Sequence, residues 1–345
     1  MRLSEDQIIE QIRRRVPSSN NRWLVRGIGD DSAVLQPGRF NWILTCDQFL
    51  EDSHFLADVH PPDSVGYKAL VRATSDIVAM GASPRIFLLS IALPAERTGR
   101  WLSQMLGGMA RGAKLLGLTL AGGDTARSPD RGRRAGAISL NLMVMGEARY
   151  GPAIYRTGAR PGDGIFVTGQ LGGAQLGLEI LLKGMHRNAV FRKLLKPHLY
   201  PELALRCSAW LARKRLASSM MDISDGLSTD LARLCHASGV GACIFEGSLP
   251  TVEIPTEARK LGFHETFLAL NGGDDYGLLF TVPRRWDARI PQKLGGAMIT
   301  RIGEITRSRR LKLVSKVGKR SSLAPGGWDH FRRALSSSGR VRIDG

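Results

Sequence analysis

The sequence lacks the features that identify several common classes of protein. It has four cysteines, without a CxxC pair or regular spacing, and its seven histidines contain no HExxH pattern. This argues against a disulfide framework and against a structural zinc site. No run of about 18 apolar residues predicts a membrane span, and the charged, amphipathic N-terminus is unlike a secretory signal. We therefore expect a cytoplasmic protein that does not interact with membranes.

The usual nucleotide-binding motifs are also missing. The Gly318-Lys319 pair is followed by Arg and has no glycine at the position a P-loop requires. The segment GQLGGAQLG, residues 169–177, does not fit GxGxxG, and the HRD and DFG motifs of protein kinases are absent. The sequence thus excludes a P-loop NTPase, a protein kinase and an ordinary Rossmann enzyme.

Acidic residues are few: 31 Asp and Glu stand against 49 Lys and Arg, which gives a net charge of +18. Such a charge attracts polyanions but also favours solubility. Residues 301–320 are rich in Lys and Arg but carry no interleaved aromatic residues, which single-stranded nucleic-acid binding would require. We interpret this stretch as a solvated basic surface and do not expect nucleic acid as a partner.

The length of 345 residues indicates about two domains, and a hydrophobic content of 43% supports a packed core. Hydrophobic periodicity predicts interleaved helices and strands in both halves. In the first half, helices are expected over residues 4–16, 64–84 and 101–117, and strands over 41–47, 85–94, 118–124 and 136–148. The pattern predicts an α/β or layered α+β fold, with an N-terminal domain over 1–149 and a C-terminal domain over 150–345.

Four acidic clusters in the first half lie beside glycine or at the end of an apolar run. They are Asp30 and Asp31 in GIGDDS, Asp47 in LTCDQF, Asp76 in RATSDIVAMGA and Asp124 in AGGDTARS. Strand ends are where an α/β scaffold exposes functional side chains. Carboxylates without His or Cys partners suit Mg²⁺ better than zinc. A single Asp is more often a turn or helix cap, but Asp30, Asp47, Asp76 and Asp124 together favour a metal site.

A second acidic segment, MMDISDGLSTDL, spans residues 220–231. Asp222, Ser224 and Asp225 lie in its predicted strand-to-helix turn. Ser224 could cap the following helix through its side chain. Alternatively, the backbone N–H groups of the turn could hold a phosphate, with the two aspartates binding Mg²⁺ against it.

The motifs together resemble those of the thiamine-monophosphate kinase family over about residues 1–330. They are, in order, GIGDDSAVL, TCDQFLEDSHF, GYKALVRATSDIVAMGASPR, GGDTARS, VTGQLGGAQLGLEIL, DISDGLSTDL and NGGDDYGLLFTV. That family belongs to the superfamily of aminoimidazole ribonucleotide synthetase, selenophosphate synthetase and the hydrogenase maturation factor HypE. The segments DSHF and DISDGLSTDL narrow the resemblance to the thiamine branch.

The resemblance implies a two-domain, PurM-like fold in which the N-terminal sheet pairs with that of a second subunit to form a homodimer. It implies an ATP- and Mg²⁺-dependent kinase that converts thiamine monophosphate to thiamine diphosphate by direct in-line transfer. Several Mg²⁺ ions would neutralise the phosphates. No general base is expected, since the attacking phosphate oxygen is already anionic.

The resemblance also assigns roles to individual residues. The implied metal ligands are Asp30, Thr45, Cys46 through its backbone, Asp47, Asp76, Asp124, Asp222 and Asp225. The implied ATP contacts are Gly123, Asp124, Arg156 and Ser224, and the implied substrate contacts are His54, Asp274 and Trp328. Considered without the resemblance, Trp328 could equally be a core aromatic residue, and Arg156 a surface or salt-bridge residue.

The chain departs from the family pattern GGEDYEL, since it reads GGDDYGL over residues 272–278. Asp274 replaces a Glu and is shorter by one methylene, and Gly277 replaces a second Glu. Two alternatives stay open at this point. One is another PurM-like ATP-dependent enzyme, and the other is a non-catalytic homologue that binds nucleotides or polyanions.

Overall fold

The structure is a computed structural model that describes residues 24–26, 30–36, 40–130, 136–149, 151–260, 262–329 and 331. The helix predicted over residues 4–16 lies outside these ranges. The described chain forms two sheets with helices packed against them, which confirms the predicted layered α/β class. No helix among the described residues is long and apolar enough to cross a membrane.

The first half forms a six-stranded sheet. Its strands are β1 (Leu24–Arg26), β2 (Ala33–Leu35), β3 (Asn41–Leu50), β4 (Ser83–Leu93), β5 (Thr119–Arg127) and β6 (Ser139–Ala148). They lie in the order β1-β2-β3-β6-β4-β5. The pair β4 and β5 is parallel, and β3, β6 and β4 pair antiparallel. Helices α1 (Pro62–Ala79) and α2 (Arg100–Leu116) pack with this sheet in one hydrophobic core.

The second half contains the larger sheet. Its strands are β7 (Gly164–Thr168), β8 (Ser219–Asp222), β9 (Gly241–Phe245), β10 (Leu278–Val282), β11 (Lys293–Leu294), β12 (Ala297–Thr306), β13 (Leu311–Val314) and β14 (Arg320–Ser322). They lie in the order β14-β13-β9-β12-β7-β10-β8, with β11 beside β12. The helices are α3 (Gly173–Leu182), α4 (Ala189–Arg192), α5 (Lys196–Leu199), α6 (Leu205–Lys214), α7 (Leu227–Ser238), α8 (Thr256–Arg259) and α9 (Glu265–Asn271).

Helix α1 lies at the centre of the molecule, between the first sheet and the second half. Most of its residues are buried, among them the polar residues Lys68, Thr74 and Ser75. Val78 and Ala79, at its end, belong to a core that also contains residues of the second sheet, such as Phe280. Because α1 is enclosed on several sides, each of its polar side chains needs a partner inside the protein.

The observed element boundaries differ from the predicted ones in explainable ways. Helix α1 begins at Pro62 because proline suits the first helical position, where no N–H donor is needed. It ends at Ala79, and Gly81 adopts a left-handed φ of 73° just beyond it. Strand β3 continues to Leu50 instead of ending at Asp47, because its ladder with β6 extends over the whole segment.

Helices α1 and α2 approach each other closely at two glycines. A Cβ at Gly66 would lie 2.0 Å from the Met105 carbonyl oxygen, and one at Gly108 would lie 1.7 Å from the Asp63 carbonyl oxygen. Neither backbone oxygen can move aside as a flexible side chain would. Gly107, the neighbour of Gly108, is exposed and would meet nothing within 4 Å.

We predict that Gly108→Ala lowers the free energy of unfolding by about 1–3 kcal/mol or more, because the added methyl group overpacks the helix contact. The matched control Gly107→Ala should raise it by about 0.5–1 kcal/mol, since alanine is the better helix former. Urea unfolding of both variants measures the difference. Equal stabilities would show that the two helices are not in backbone contact.

Candidate functional site

Three aspartates from separate parts of the chain meet at the junction of the two halves. They are Asp31, just before β2, Asp76 in the last turns of α1, and Asp222 at the end of β8. One carboxylate oxygen from each lies within 4.8 Å of the others. We call this group the acidic cluster. Asp222 is buried, the Asp31 side chain is 3% exposed, and Asp76 keeps a partial opening to solvent.

Burial and mutual repulsion make ionisation of the acidic cluster unfavourable. Burial raises the pKa of Asp76 well above its ordinary value, and the charges of Asp47, Asp222 and Asp31 raise it further. Burial raises the pKa of Asp222 to about 7, with a further contribution from Asp31. The pKa of Asp31 is also raised by burial, although Arg156 opposes the shift. A cation among the three carboxylates would relieve this repulsion.

The hydrogen bonds around the acidic cluster hold the carboxylates in place without neutralising all of them. The Thr45 hydroxyl donates to Asp76 over 2.6 Å, and the Ser75 hydroxyl donates to Asp222 over 2.6 Å. Arg156 pairs with one oxygen of Asp31. The other oxygen, Oδ2, is buried without a hydrogen-bond partner among the described residues. Mg²⁺ prefers oxygen ligands, so three converging carboxylates, one of which has an oxygen without a hydrogen-bond partner, fit this ion.

The structure places Asp30 differently from Asp31. Its carboxylate accepts hydrogen bonds from Arg26 Nε over 3.3 Å and from the Arg156 backbone N–H over 3.2 Å. Sequence reasoning assigned metal binding to Asp30 and gave no role to Asp31, yet Asp31 is the residue in the acidic cluster. The adjacent GDD pair identified the segment, but only the fold shows which of the two side chains points to the cluster.

Asp47 and Cys46 lie on β3 beside the acidic cluster. Asp47 pairs with Arg72 of α1 over 3.4 Å, and its charge contributes to the raised pKa values of Asp76 and Asp222. The Cys46 thiol is exposed and donates to Asn141 Oδ1 over 3.1 Å. The predicted set is therefore brought together at Asp47, Asp76 and Asp222, with Thr45 as a hydrogen-bond donor.

The turn before α7 is capped from within. The backbone N–H groups of Ser224, Asp225 and Gly226 all donate to Asp230 Oδ2, over 3.1, 3.0 and 3.1 Å. Gly226 occupies the cap position, so the Ser224 side-chain cap, one of the two alternatives left open by the sequence, does not occur. The three N–H groups are also already bonded and do not offer the phosphate cradle considered from the sequence. An acid in the first turn of a helix was the sequence signal for Asp230.

The glycine loop before α3 is capped in the same way. Asp275 accepts hydrogen bonds from the backbone N–H groups of Gly172 over 2.6 Å and Ala174 over 3.1 Å. Burial raises the pKa of Asp275 to about 7, while these hydrogen bonds oppose the shift. Asp275 therefore joins the 272–276 loop to the start of α3, a structural role that its place in GGDDYG did not indicate.

Asp274 and Trp328 lie next to the turn before α7, which contains Ser224 and Asp225. The Asp274 backbone N–H donates to the Ser224 carbonyl over 2.7 Å, and the Trp328 N–H donates to the Asp225 carbonyl over 2.9 Å. The Trp328 side chain is 48% exposed, so it is not a core aromatic residue. A Cβ at Gly327 would lie 1.9 Å from the Asp225 carbonyl oxygen, which explains the glycine before Trp328.

The three other predicted residues lie elsewhere in the first half. His54 accepts a hydrogen bond from the Leu50 N–H over 2.9 Å and stacks on Phe49. Gly123 and Asp124 lie on β5, an edge strand whose nine residues are all exposed. A Cβ at Gly123 would lie 1.8 Å from the Leu89 carbonyl oxygen, so strand packing alone requires glycine there. Neither residue belongs to the acidic cluster.

Comparison with known protein families gives a separate match for each half of the chain. The family described as AIR synthase related protein, N-terminal domain, matches residues 29–148, and its C-terminal domain matches residues 160–316. Thiamine-monophosphate kinase of Escherichia coli O157:H7 is 34% identical, over 88% of this chain and 91% of that protein. The Bacillus subtilis (strain 168) enzyme is 32% identical, over 89% and 93%.

Among solved structures, AaThiL complexed with AMPPCP and TMP is similar to this chain, with a TM-score of 0.82. It is 30% identical in sequence, and the match covers 96% of this chain and 99% of that one. Structures of the hydrogenase maturation protein HypE, about 21% identical, share the fold.

The raised pKa of Asp222 predicts a pH-dependent stability. The pKa of this carboxyl is about 7 in the folded protein and near 4 in the unfolded chain. Its contribution to stability is therefore fully present below pH 4 and is lost as the pH rises to about 7. Relative to Asp222→Asn, the unmodified protein should therefore lose about 1–3 kcal/mol of unfolding free energy between pH 5 and pH 8.

Mg²⁺ should restore much of this loss at pH 8 and little at pH 5, where protons compete for the same oxygens. Chemical unfolding with and without Mg²⁺ measures both effects. Asp58→Asn is the control, because its carboxylate side chain is 84% exposed. A pH response that is identical in Asp222→Asn and the unmodified protein would contradict the assignment.

Proposed function

Because this chain belongs to the thiamine-monophosphate kinase family, we propose that it transfers the γ-phosphoryl group of ATP to thiamine monophosphate, giving ADP and thiamine diphosphate. The observation that carries the proposal is the acidic cluster, which both halves of the chain build and which has an unsatisfied, buried carboxylate oxygen at Asp31. The AaThiL complex with AMPPCP, an analogue of ATP, and TMP supports the same pair of substrates.

We propose that Asp31, Asp76 and Asp222 hold Mg²⁺, with Asp47 beside them. Bound Mg²⁺ neutralises phosphate charge and orients the reacting groups in phosphoryl transfer. Sequence resemblance extends the ligand set to Asp30, Thr45, Cys46, Asp124 and Asp225. The arrangement supports Asp31 as an additional ligand, since Asp31 belongs to the acidic cluster and its Oδ2 is buried without a hydrogen-bond partner among the described residues.

The residues around the acidic cluster would position the phosphates rather than exchange protons with them. Thr45 and Ser75 fix the orientation of two carboxylates by short hydrogen bonds. Arg156 supplies a permanent positive charge beside Asp31, where it can also meet a nucleotide phosphate. No general base is required, because the acceptor phosphate oxygen is ionised, so catalysis depends on positioning and charge neutralisation.

For the thiamine side of the substrate we propose Asp274 and Trp328, with His54. Asp274 and Trp328 are both hydrogen-bonded to the 224–225 turn, close in sequence to Asp222 of the acidic cluster. The half-exposed indole of Trp328 is suited to stacking on a cationic ring. Thiamine carries such a ring in its thiazolium group.

We also propose that the protein is a homodimer joined through the first sheet. Strand β5 is an edge strand with every residue exposed, including the apolar Leu120, which is 54% exposed. An uncovered edge with exposed apolar residues favours pairing with another chain. The proposed domain boundary near residue 150 falls between the two family matches. The expected cytoplasmic location stays a prediction.

The first experiment follows ADP release from ATP and Mg²⁺, with and without thiamine monophosphate, and detects thiamine diphosphate by chromatography. We expect thiamine diphosphate in equal amounts to ADP. ATP binding without product formation would contradict the proposed kinase and favour a non-catalytic, nucleotide-binding homologue. ADP release that does not depend on thiamine monophosphate would indicate another acceptor.

We predict that Asp47→Asn reduces kcat by about 100-fold or more with little effect on the fold, because one negative charge next to the acidic cluster is lost. The amide oxygen of the introduced Asn can still accept from Arg72, and Arg72 stays under the influence of the charge on Asp274, so thermal unfolding should change little. Asp58→Asn, an exposed change in the same half, is the control. Full activity in Asp47→Asn would remove Asp47 from the proposed metal site.

A further inference from the structure

A line of buried, titratable groups runs from the first half of the chain to Asp274. Lys68 Nζ of α1 lies 2.7 Å from Asp274 Oδ2 and 3.1 Å from His198 Nδ1. His198 Nε2 lies 3.0 Å from His60 Nε2. Lys68 is 2% exposed, His198 1% and His60 4%. No other part of the proposed function uses these three residues.

The charge on Lys68 fixes the direction of every hydrogen bond in this line. An ammonium group has only donors, so it donates to both Asp274 Oδ2 and His198 Nδ1. His198 must then carry its proton on Nε2 and donate to His60 Nε2. His60 then carries its proton on Nδ1 and donates it to the Leu56 carbonyl oxygen over 3.2 Å, so the Leu56 N–H, 3.1 Å from the same nitrogen, cannot also donate to it. Both rings are neutral, because burial and the charge of Lys68 lower the pKa of each.

Asp274, the last residue of this line of hydrogen bonds, has a constrained backbone conformation. Its φ is 67°, in the left-handed region that Asp tolerates better than longer residues. Its second oxygen accepts a hydrogen bond from the Tyr276 hydroxyl over 2.6 Å. The carboxylate is thus held from two sides while its side chain stays 30% exposed. Although burial alone would raise its pKa, the charges of Lys68 and Arg72 hold the pKa of Asp274 below the ordinary range, so it is ionised.

We propose that Lys68, oriented by His198 and His60, is a positioning residue that directs the open edge of the Asp274 carboxylate toward the cationic organic part of the substrate. The inference rests on the proposed function, in which that part is the thiamine moiety. An ionised carboxylate recognises a cation or an amino donor, and both occur in thiamine. The family pattern has a longer Glu at this position. A fixed orientation of the shorter Asp274 side chain would compensate for its reduced length in contacting the substrate.

The test compares Lys68→Met with the unmodified protein in steady-state kinetics. We expect the KM for thiamine monophosphate to rise about tenfold or more, in line with the loss of a charge-assisted contact, while the KM for ATP changes less than about twofold. The control Arg85→Met removes a cation that pairs with Glu147 in the first sheet. It should change neither KM. Equal rises in both KM values for Lys68→Met would show a merely structural role and overturn the proposal.

A double variant addresses the risk that Lys68→Met does not fold, because it leaves no unpaired charge. In the Asp274→Asn background, adding Lys68→Met should change the KM for thiamine monophosphate by less than about twofold, since Lys68 acts through Asp274. A further rise of about tenfold would show that Lys68 acts independently and would contradict the proposal.

Two readouts separate this inference from the proposed function. If the unmodified protein forms no thiamine diphosphate, the proposed function fails and the inference fails with it. If it forms product and Lys68→Met leaves the two KM values unchanged, only the inference fails. Nitrogen NMR of the histidines tests the hydrogen-bond line directly. We expect His198 protonated at Nε2 and His60 at Nδ1, and the opposite tautomers would overturn the line.

Discussion

The structure depends on burying a helix whose side chains are not all apolar. Helix α1 lies between the first sheet and the second half, where an unpaired charge or hydroxyl would cost several kcal/mol. Each buried polar group on one side of the helix has a specific partner. The pairs are Lys68 with Asp274, Arg72 with Asp47, Ser75 with Asp222, and Asp76 with Thr45. The same contacts that satisfy the helix therefore arrange the proposed site.

Buried carboxylates in this protein fall into two physical classes. Asp230 and Asp275 accept hydrogen bonds from backbone N–H groups at the starts of α7 and α3. The fold itself therefore supplies most of the hydrogen-bond donors that these two carboxylates need. Asp31, Asp76 and Asp222 instead face one another, with one oxygen unsatisfied. Only the second class gains from an added cation. Aspartates in the acidic motifs thus either bind backbone N–H groups or form the acidic cluster, and only the structure shows which of them does which.

Local sequence signals predicted what depends on neighbouring residues. Apolar periodicity located α1 and α2, and the acidic segments RATSDIVAMGA and MMDISDGLSTDL contained Asp76 and Asp222. The choice of Asp31 over Asp30 depends on side-chain direction in a short segment before β2. The contact of Lys68 with His198 joins residues 130 positions apart, and that with Asp274 joins residues 206 apart. No periodicity reports such pairs, because the approach of the two halves creates them.

The division of the chain into two family domains has a consequence for how it unfolds. Lys68 and Ser75 belong to the first half, but their partners His198, Asp274 and Asp222 belong to the second. Separating the halves would break these contacts and expose apolar residues such as Val78 and Ala79, which pack with Phe280 of the second sheet. We therefore expect the two domains to unfold together as one cooperative unit, and neither to persist as an independently folded fragment.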